Sequence, residues 1–582
     1  MFMPHQLENR NCQNCHKDFT IEPDDFSFYK KIRVPPPTFC PECRLIRRLV
    51  WRNHRSLHKK PCSLCKKQVI TMYPEGNEFS VLCNDCWTSD KWDPRDYAEK
   101  INWDVPFLSQ FYKLLKNVPH LLNYRTGNLV NSDYTNYTLD NKNAYLSYSV
   151  IKCEDVSYSD SIDNSKDSID NLGVQKLDQC SYNVDSEGNY NCHYVFRTKN
   201  CLDSLFLLDC HNCRDCFLST GLRNKKYVFR NKQFTKVEYD KLMEDLQLNK
   251  FSELKKIKEE FKNLQENTIV KYANIVNSNN ATGEFIINSN RVGESFDVRG
   301  SENIKYSFRV IDSKDIMDCA GVLGGELEYE SVAPTANSSR QFFSMICLIS
   351  ADLEYSAFCK NCSDCFGCME LKNAEYCILN KQYTKEEYNK LVPKIKEHMN
   401  KMPYITKNNI PYKYGEFFPP EFSPWGYNET LAQEYFPLDK NTADEKSFNW
   451  VEREKRLYEI TLKNSEIPDD IFEVTSDILK EVLECGHRGD CTHLCTGAFK
   501  IIESELSFLQ RKNLPLPVLC PNCRHYERVG WRNPMKLWHR QCMCDKKHSN
   551  HKGKCEVEFE TPYAPNKPEI VYCEKCYQRE VY

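Results

Sequence analysis

Apolar residues at Phe107, Leu108, Phe111, Leu114 and Leu115 recur at helical spacing. They predict a helix within 101–128 that ends at Pro119. The pattern changes from 129 to 231, where short aromatic or β-branched stretches alternate with polar corners. The corners are Asp133, Asn143, Asp155, Asp167, Asp178, Asn189, Asn200, Asn212 and Asn224. A corner about every 10–12 residues, with no helical period between, predicts many short strands. Strand-and-corner repetition of this kind predicts a β-solenoid, in which each coil buries its face on the next.

The pattern also duplicates. Cys210–Met243 aligns without a gap on Cys359–Val392, with more than half of the positions identical. Both copies leave a strand-like run through a capping box, Thr235 with Glu238 and Thr384 with Glu387. The predicted order is a helical connector over 101–128, a first solenoid repeat over 129–231 and one long helix over 232–270. A second repeat over 271–383 and a helix over 384–402, cut short at Pro393, come next. An aromatic, Pro-rich connector and a helical stretch fill 403–484.

The ends, 1–100 and 485–582, read as one cysteine module used twice. Cys12, Cys15, Cys40, Cys43, Cys62, Cys65, Cys83 and Cys86 return as Cys491, Cys495, Cys520, Cys523, Cys542, Cys544, Cys573 and Cys576. Cys15 to Cys62 map onto Cys495 to Cys542 without a gap, and Arg44, Arg48, Trp51, Arg52 and Asn53 recur with them. Two C-x2-C knuckles from separate segments supply the four soft ligands that tetrahedral zinc requires. Taken in consecutive fours, the sixteen cysteines predict four closed Zn2+ sites, about four ions per chain. The C-terminal block departs from the pattern at C-x3-C and C-x-C, and Cys485, His487, His493, His548, His551 and Cys555 lie near enough to substitute. The central cysteines (Cys210, Cys213, Cys216; Cys359, Cys362, Cys365, Cys368) leave three readings open. They could be buried small side chains, further zinc ligands or an iron–sulfur cluster.

Arg44 to Lys60 carries Arg44, Arg47, Arg48, Arg52, Arg55, Lys59 and Lys60 and no acid. On a helix that begins at a cysteine knuckle, such a stripe suits phosphate contacts in nucleic acid. It equally suits a scaffold role, since a four-thiolate zinc site is anionic and the arginines recur at Arg524, Arg528 and Arg532. Asn53, His54 and His58 could imitate a treble-clef nuclease, but the second copy has Pro534 and Trp538 in place of the two histidines.

The net charge of −3 gives the chain no global electrostatic purpose. The first residues lack a secretory pattern and no apolar run reaches membrane length, so 32 cysteines point to a reducing, intracellular, cytoplasmic setting. No catalytic residue and no small-molecule site stands out.

The stretch FSFYKKIRVPPPTFCPECRLIRR resembles the "probable zinc-ribbon" domain, a treble-clef-like module. With YGEFFPPEFSPWGYNET and LCPNCRH…WRNPMKLWHRQCMC, the whole chain resembles multi-zinc-ribbon proteins of candidate-phylum bacteria and large DNA viruses. The patterns together predict a mainly β chain with helical connectors, its terminal treble-clef or zinc-ribbon pairs flanking a duplicated β-solenoid, and the resemblance adds host cytoplasm or a virion as location if viral. It carries no activity. The expectation is a zinc-binding, non-enzymatic scaffold, with nucleic acid as partner through the basic helix. An enzyme on nucleic acid or another polymer, or a virion or other protein-assembly scaffold, is the alternative.

Overall fold

The computed structural model describes residues 7–334, 337–452, 458–548 and 551–581. It is mainly β, with helical connectors, cysteine clusters at both ends and a duplicated solenoid between them. The solenoid strands lie within 125–229 and 275–378 and pair in parallel, Tyr148 opposite Asp160 and Phe296 opposite Phe308, and each half closes on a short antiparallel strand, Lys232–Gln233 and Lys381–Gln382.

The repeat is finer than the polar corners suggest. From Tyr137 to Asp170 every third residue has positive φ, and the side-chain bonds that link successive coils span 12 residues. Each coil therefore has four short sides with a left-handed residue at every corner. Left-handed backbone costs an ordinary residue roughly 1–2 kcal/mol and Asn or Asp less, which is why Asn and Asp crowd the corners. Leu146, Tyr158 and Phe206 hold the same conformation, so the stacking of coils overrides local preference there.

One residue in three points inward. In the second half Ile286, Val298, Val310 and Val322 form one buried aliphatic ladder, and Val292, Ile304 and Ile316 form another. The remaining two sides are serine ladders. Ser301 Oγ donates to the Arg299 carbonyl at 2.8 Å and accepts from the Ser313 amide at 3.1 Å, and Ser307 repeats the pattern with Lys305 and Cys319. Serine thus satisfies backbone groups that face the coil interior. Ser301→Ala should lower stability by about 1–3 kcal/mol, read from the denaturant midpoint, because it leaves the Ser313 amide buried without a partner, while the Arg299 carbonyl keeps the Asp312 amide. An unchanged midpoint would show that the ladder bonds contribute nothing.

The central cysteines occupy the same ladders. The Cys180 thiol donates to the Asp178 and Asn189 carbonyls at 3.3 and 3.5 Å, while its sulfur accepts from the Cys192 amide at 3.4 Å. Cys210, Cys213, Cys216, Cys359, Cys362, Cys365 and Cys368 are all buried in the coils. Each of their thiols has a backbone carbonyl within reach. Cys216, Cys362 and Cys368 take the place of serine, their amides bonded to Ser204, Ser350 and Ser356, whereas Cys365 stacks on Leu353.

Three connectors differ from expectation. The single long helix expected over 232–270 is two, Lys236–Glu244 and Phe251–Glu266. Pro393 does not end its helix, which runs Lys385–Lys401. Pro393 is exposed, so water can reach the carbonyl it leaves unpaired, while Tyr388, Ile395 and Met399 bury the opposite face. The described part of 451–484 holds no α-helix, only short 3-10 turns at Asn464–Glu466, Ile471–Glu473 and Ser476–Leu479 and the two-residue strand Leu483–Glu484. Residues 453–457 of that stretch lie outside the described residues.

The halves are interleaved. The segment before each solenoid lends a strand to a cysteine module, His120–Leu121 to Val81–Leu82 and Ile269–Lys271 to Ile570–Tyr572. The solenoids touch directly: Arg309 donates to Ser149 and Ser161 at 2.8 and 2.9 Å, and Arg197 pairs with Glu284 at 3.0 Å.

Candidate metal centres and the arginine helices

Each N-terminal cysteine set begins with a tight hairpin and closes on the first turn of a helix. The strands Glu8–Asn11 and Asp18–Ile21 bring Cys12 and Cys15 together at their turn. Cys40 caps the helix Pro41–Leu49, which carries Cys43 in its first turn. The four sulfurs lie within 4.8 Å of one another. Crowding makes them share protons: the Cys12 thiol is pulled below its ordinary range, first by hydrogen bonding with Cys40 and Cys43, and both partners are raised in turn. Cys62, Cys65, Cys83 and Cys86 form a second set of the same kind.

Two C-terminal sets differ from the expected ones. The first joins Cys485, not Cys491, to Cys495, Cys520 and Cys523, and the second joins Cys555, not Cys544, to Cys542, Cys573 and Cys576. The cause lies in the hairpin. A loop inserted inside each knuckle separates its two ligands along the sequence, so the nearest cysteine in sequence is not the one in space. Cys491 instead lies with His487, His493 and Cys523, and Cys544 lies beside His548 at 3.1 Å. The four four-cysteine sets are compatible with zinc, which takes thiolate ligands in a tetrahedron.

The basic helix points inward. Arg44, Arg47, Arg48 and Arg52 are at most 4% exposed, so they present no surface to a phosphate backbone. Arg44 Nε lies 2.9 Å from Asp318, and Arg48 lies 3.0 Å from Glu330 and 3.3 Å from Asp318. Arg47 bridges Glu330 at 2.6 Å and Glu416 at 2.9 Å. Burial alone would lower the Arg44 pKa, but the Asp318 carboxylate holds it above its ordinary range. Burial pushes Glu330 upward while the Arg47 and Arg48 charges act against it. Arg55 is tucked over the Tyr148 ring, and Lys60 donates to the Asn77 and Phe79 carbonyls at 3.0 and 2.7 Å. Of the seven basic residues only Lys59 is exposed.

The second copy repeats the insertion on the opposite solenoid. Arg524 and Arg528 both reach Asp170 at 2.6 Å, Arg524 also meets Glu505 at 2.9 Å, and Arg528 donates to the Tyr158 carbonyl. Arg48 makes the matching contact with the Tyr306 carbonyl. Two glycines complete the match. A Cβ at Gly321 would meet Arg52 Nη1 at 1.8 Å, and one at Gly173 would meet Arg532 Nη2 at 1.7 Å. The N-terminal cysteine module thus packs its arginine helix on the second solenoid and the C-terminal module packs its own on the first.

The nuclease-like trio is spent on structure as well. Asn53 bonds the Ser56 and Met72 carbonyls, His58 bonds Glu429, and His54 is buried beside Arg52, its pKa driven well down by burial. The acids that receive the arginines were absent from the sequence-derived sites. Their signal was indirect: the arginine spacing recurs in both modules, as a shared packing role requires.

Among the described residues no helix is long and apolar enough to cross a membrane. No protein-family model matches the chain, and no curated protein is significantly similar to it.

Proposed function

We propose that the chain is a zinc-stabilised, non-enzymatic scaffold of the multi-zinc-ribbon kind, whose ribbons are clamps that lock two solenoids together. The observation that carries this reading is the destination of the arginine helices, each buried against acids of the opposite solenoid. A ribbon that spends its cations inside the molecule serves the architecture. Four-thiolate sets leave no ligand position for a reacting water, which suits structural ions. Zinc fits soft thiolate donors in a tetrahedron better than hard cations do. With the arginines taken up, a protein assembly rather than a nucleic-acid backbone is the partner class this reading favours, held on the outer sides of the solenoids.

Elemental analysis of protein purified without added metal should find at least four zinc ions per chain. The loaded protein should not cleave single- or double-stranded DNA, RNA or polysaccharide. Two or fewer zinc ions, or a metal-dependent cleavage of any of these polymers, overturns the reading.

A further inference from the structure

The two C-terminal knuckles differ from the N-terminal ones in a shared way. Cys12 and Cys15, like Cys62 and Cys65, stand at C-x2-C spacing. The corresponding pairs Cys485 and Cys495, and Cys542 and Cys555, enclose longer loops. Each loop carries one further cysteine and two histidines: Cys491, His487 and His493 in one, Cys544, His548 and His551 in the other. A loop lengthened only for reach would have no reason to acquire the same three ligands, one cysteine and two histidines, twice.

The folded loops gather these groups against a cysteine that already belongs to a four-cysteine set. His487, Cys491, His493 and Cys523 offer donor atoms within 4.8 Å of one another, and Cys491 Sγ lies 3.7 Å from Cys523 Sγ. Cys523 also belongs with Cys485, Cys495 and Cys520. The Nδ1 atoms of His487 and His493 are buried without a hydrogen-bond partner. A buried polar atom left so is costly, and a cation would satisfy both.

In the last ribbon His548 Nε2 lies 3.1 Å from Cys544 Sγ, and His551 Nε2 lies 3.2 Å from Cys576 Sγ. Cys576 likewise belongs to the four-cysteine set of its ribbon. His548 and His551 face each other across a one-rung bridge, with ring centroids 5.1 Å apart. His551 Nδ1 lies 2.6 Å from the Gly553 carbonyl, which can only accept, so Nδ1 carries the proton and Nε2 presents its lone pair. Zinc bonds of ~2.0–2.1 Å to nitrogen and ~2.3 Å to sulfur imply donor–donor edges of about 3.3–3.8 Å in a tetrahedron. The observed separations sit close to those edges.

We propose that each C-terminal ribbon is a binuclear centre. A second zinc-class dication is held by His487, His493, Cys491 and a bridging Cys523 thiolate in one, and by His548, His551, Cys544 and a bridging Cys576 thiolate in the other. Loading needs only deprotonation of the thiols, whose protons pass to solvent as the metal binds. Bridging also eases charge. Two dications on five thiolates leave a centre at about −1, where one dication on four thiolates leaves about −2. The proposal rests on the zinc reading above and extends it from four ions to six.

Elemental analysis can separate the two. The wild-type chain should hold six zinc ions, the double variant His487→Ala/His493→Ala five, and the further addition of His548→Ala/His551→Ala four. Cadmium-loaded protein should show metal–metal coupling through the shared sulfurs by cadmium NMR, and the fourfold variant should lose it. A wild-type count of four that the histidine variants do not change, together with a fall to three in Cys40→Ser, would overturn the binuclear centres and leave the four structural sites standing. A wild-type count of two or fewer would overturn both. If a histidine variant fails to fold, the cadmium coupling in the wild-type protein decides alone: its absence in a fully loaded chain rejects the bridge.

Discussion

Replacing Asp170 by Asn is expected to cost the protein about 3–5 kcal/mol, the usual effect of removing one partner from a buried charge pair. Asp170 is completely buried and serves two guanidinium groups at once. Arg524 keeps Glu505, but Arg528 is left with the neutral Tyr158 carbonyl and the Tyr182 ring. The N-terminal clamp is better supplied, since Asp318, Glu330 and Glu416 share Arg44, Arg47 and Arg48. Glu330→Gln should therefore cost less than Asp170→Asn, because Asp318 and Glu416 remain. Equilibrium denaturation of both variants tests the ranking. Because the Asp170 variant loosens one clamp only, limited proteolysis should attack the C-terminal ribbon before the N-terminal one. Equal midpoints for wild type and the Asp170 variant would mean that the helix docks by shape and not by charge.

The same contacts show what a linear reading can and cannot see. Cys12, Cys15, Cys40 and Cys43 were legible as one set because zinc fixes both donor type and local spacing. Cys485 and Cys555 were legible only as neighbours, since the loop inside each knuckle hides which sulfur is first in space. The solenoid announced itself through Asn and Asp at its corners. Its three-residue inward period stayed hidden because Ser301, Cys180 and Val310 all face the interior. Hydrophobic periodicity assumes that what is buried is apolar, and here serine and cysteine are buried to satisfy amides. The arginine stripe looked like a surface because its partners, Asp318 and Asp170, lie far away in sequence. Each is one acid among the many that mark the corners.

Stripping the metal is expected to free both ribbon pairs while the solenoids keep their strands. The cysteine modules are built from strands of two to four residues and one- to three-turn helices, too little structure to persist without an ion. Structural zinc supplies an apparent ~10–16 kcal/mol to modules of this size. The solenoids carry their own aliphatic and serine ladders, and these do not pass through any of the four-cysteine sets. Freed arginines would move to water, but Asp318, Glu330 and Asp170 cannot leave their coils and would be left facing solvent. Chelation should thus expose Trp51, now fully buried against Phe417 and Phe418, and shift its emission to the red. Proteolysis should then trim 1–100 and 485–582 while far-UV dichroism keeps its β signal. A metal-free chain, verified by elemental analysis, whose ribbons still resist protease would show that arginine docking holds them without zinc. Loss of the β signal in the same step would show instead that the solenoids cannot stand once their clamps are gone.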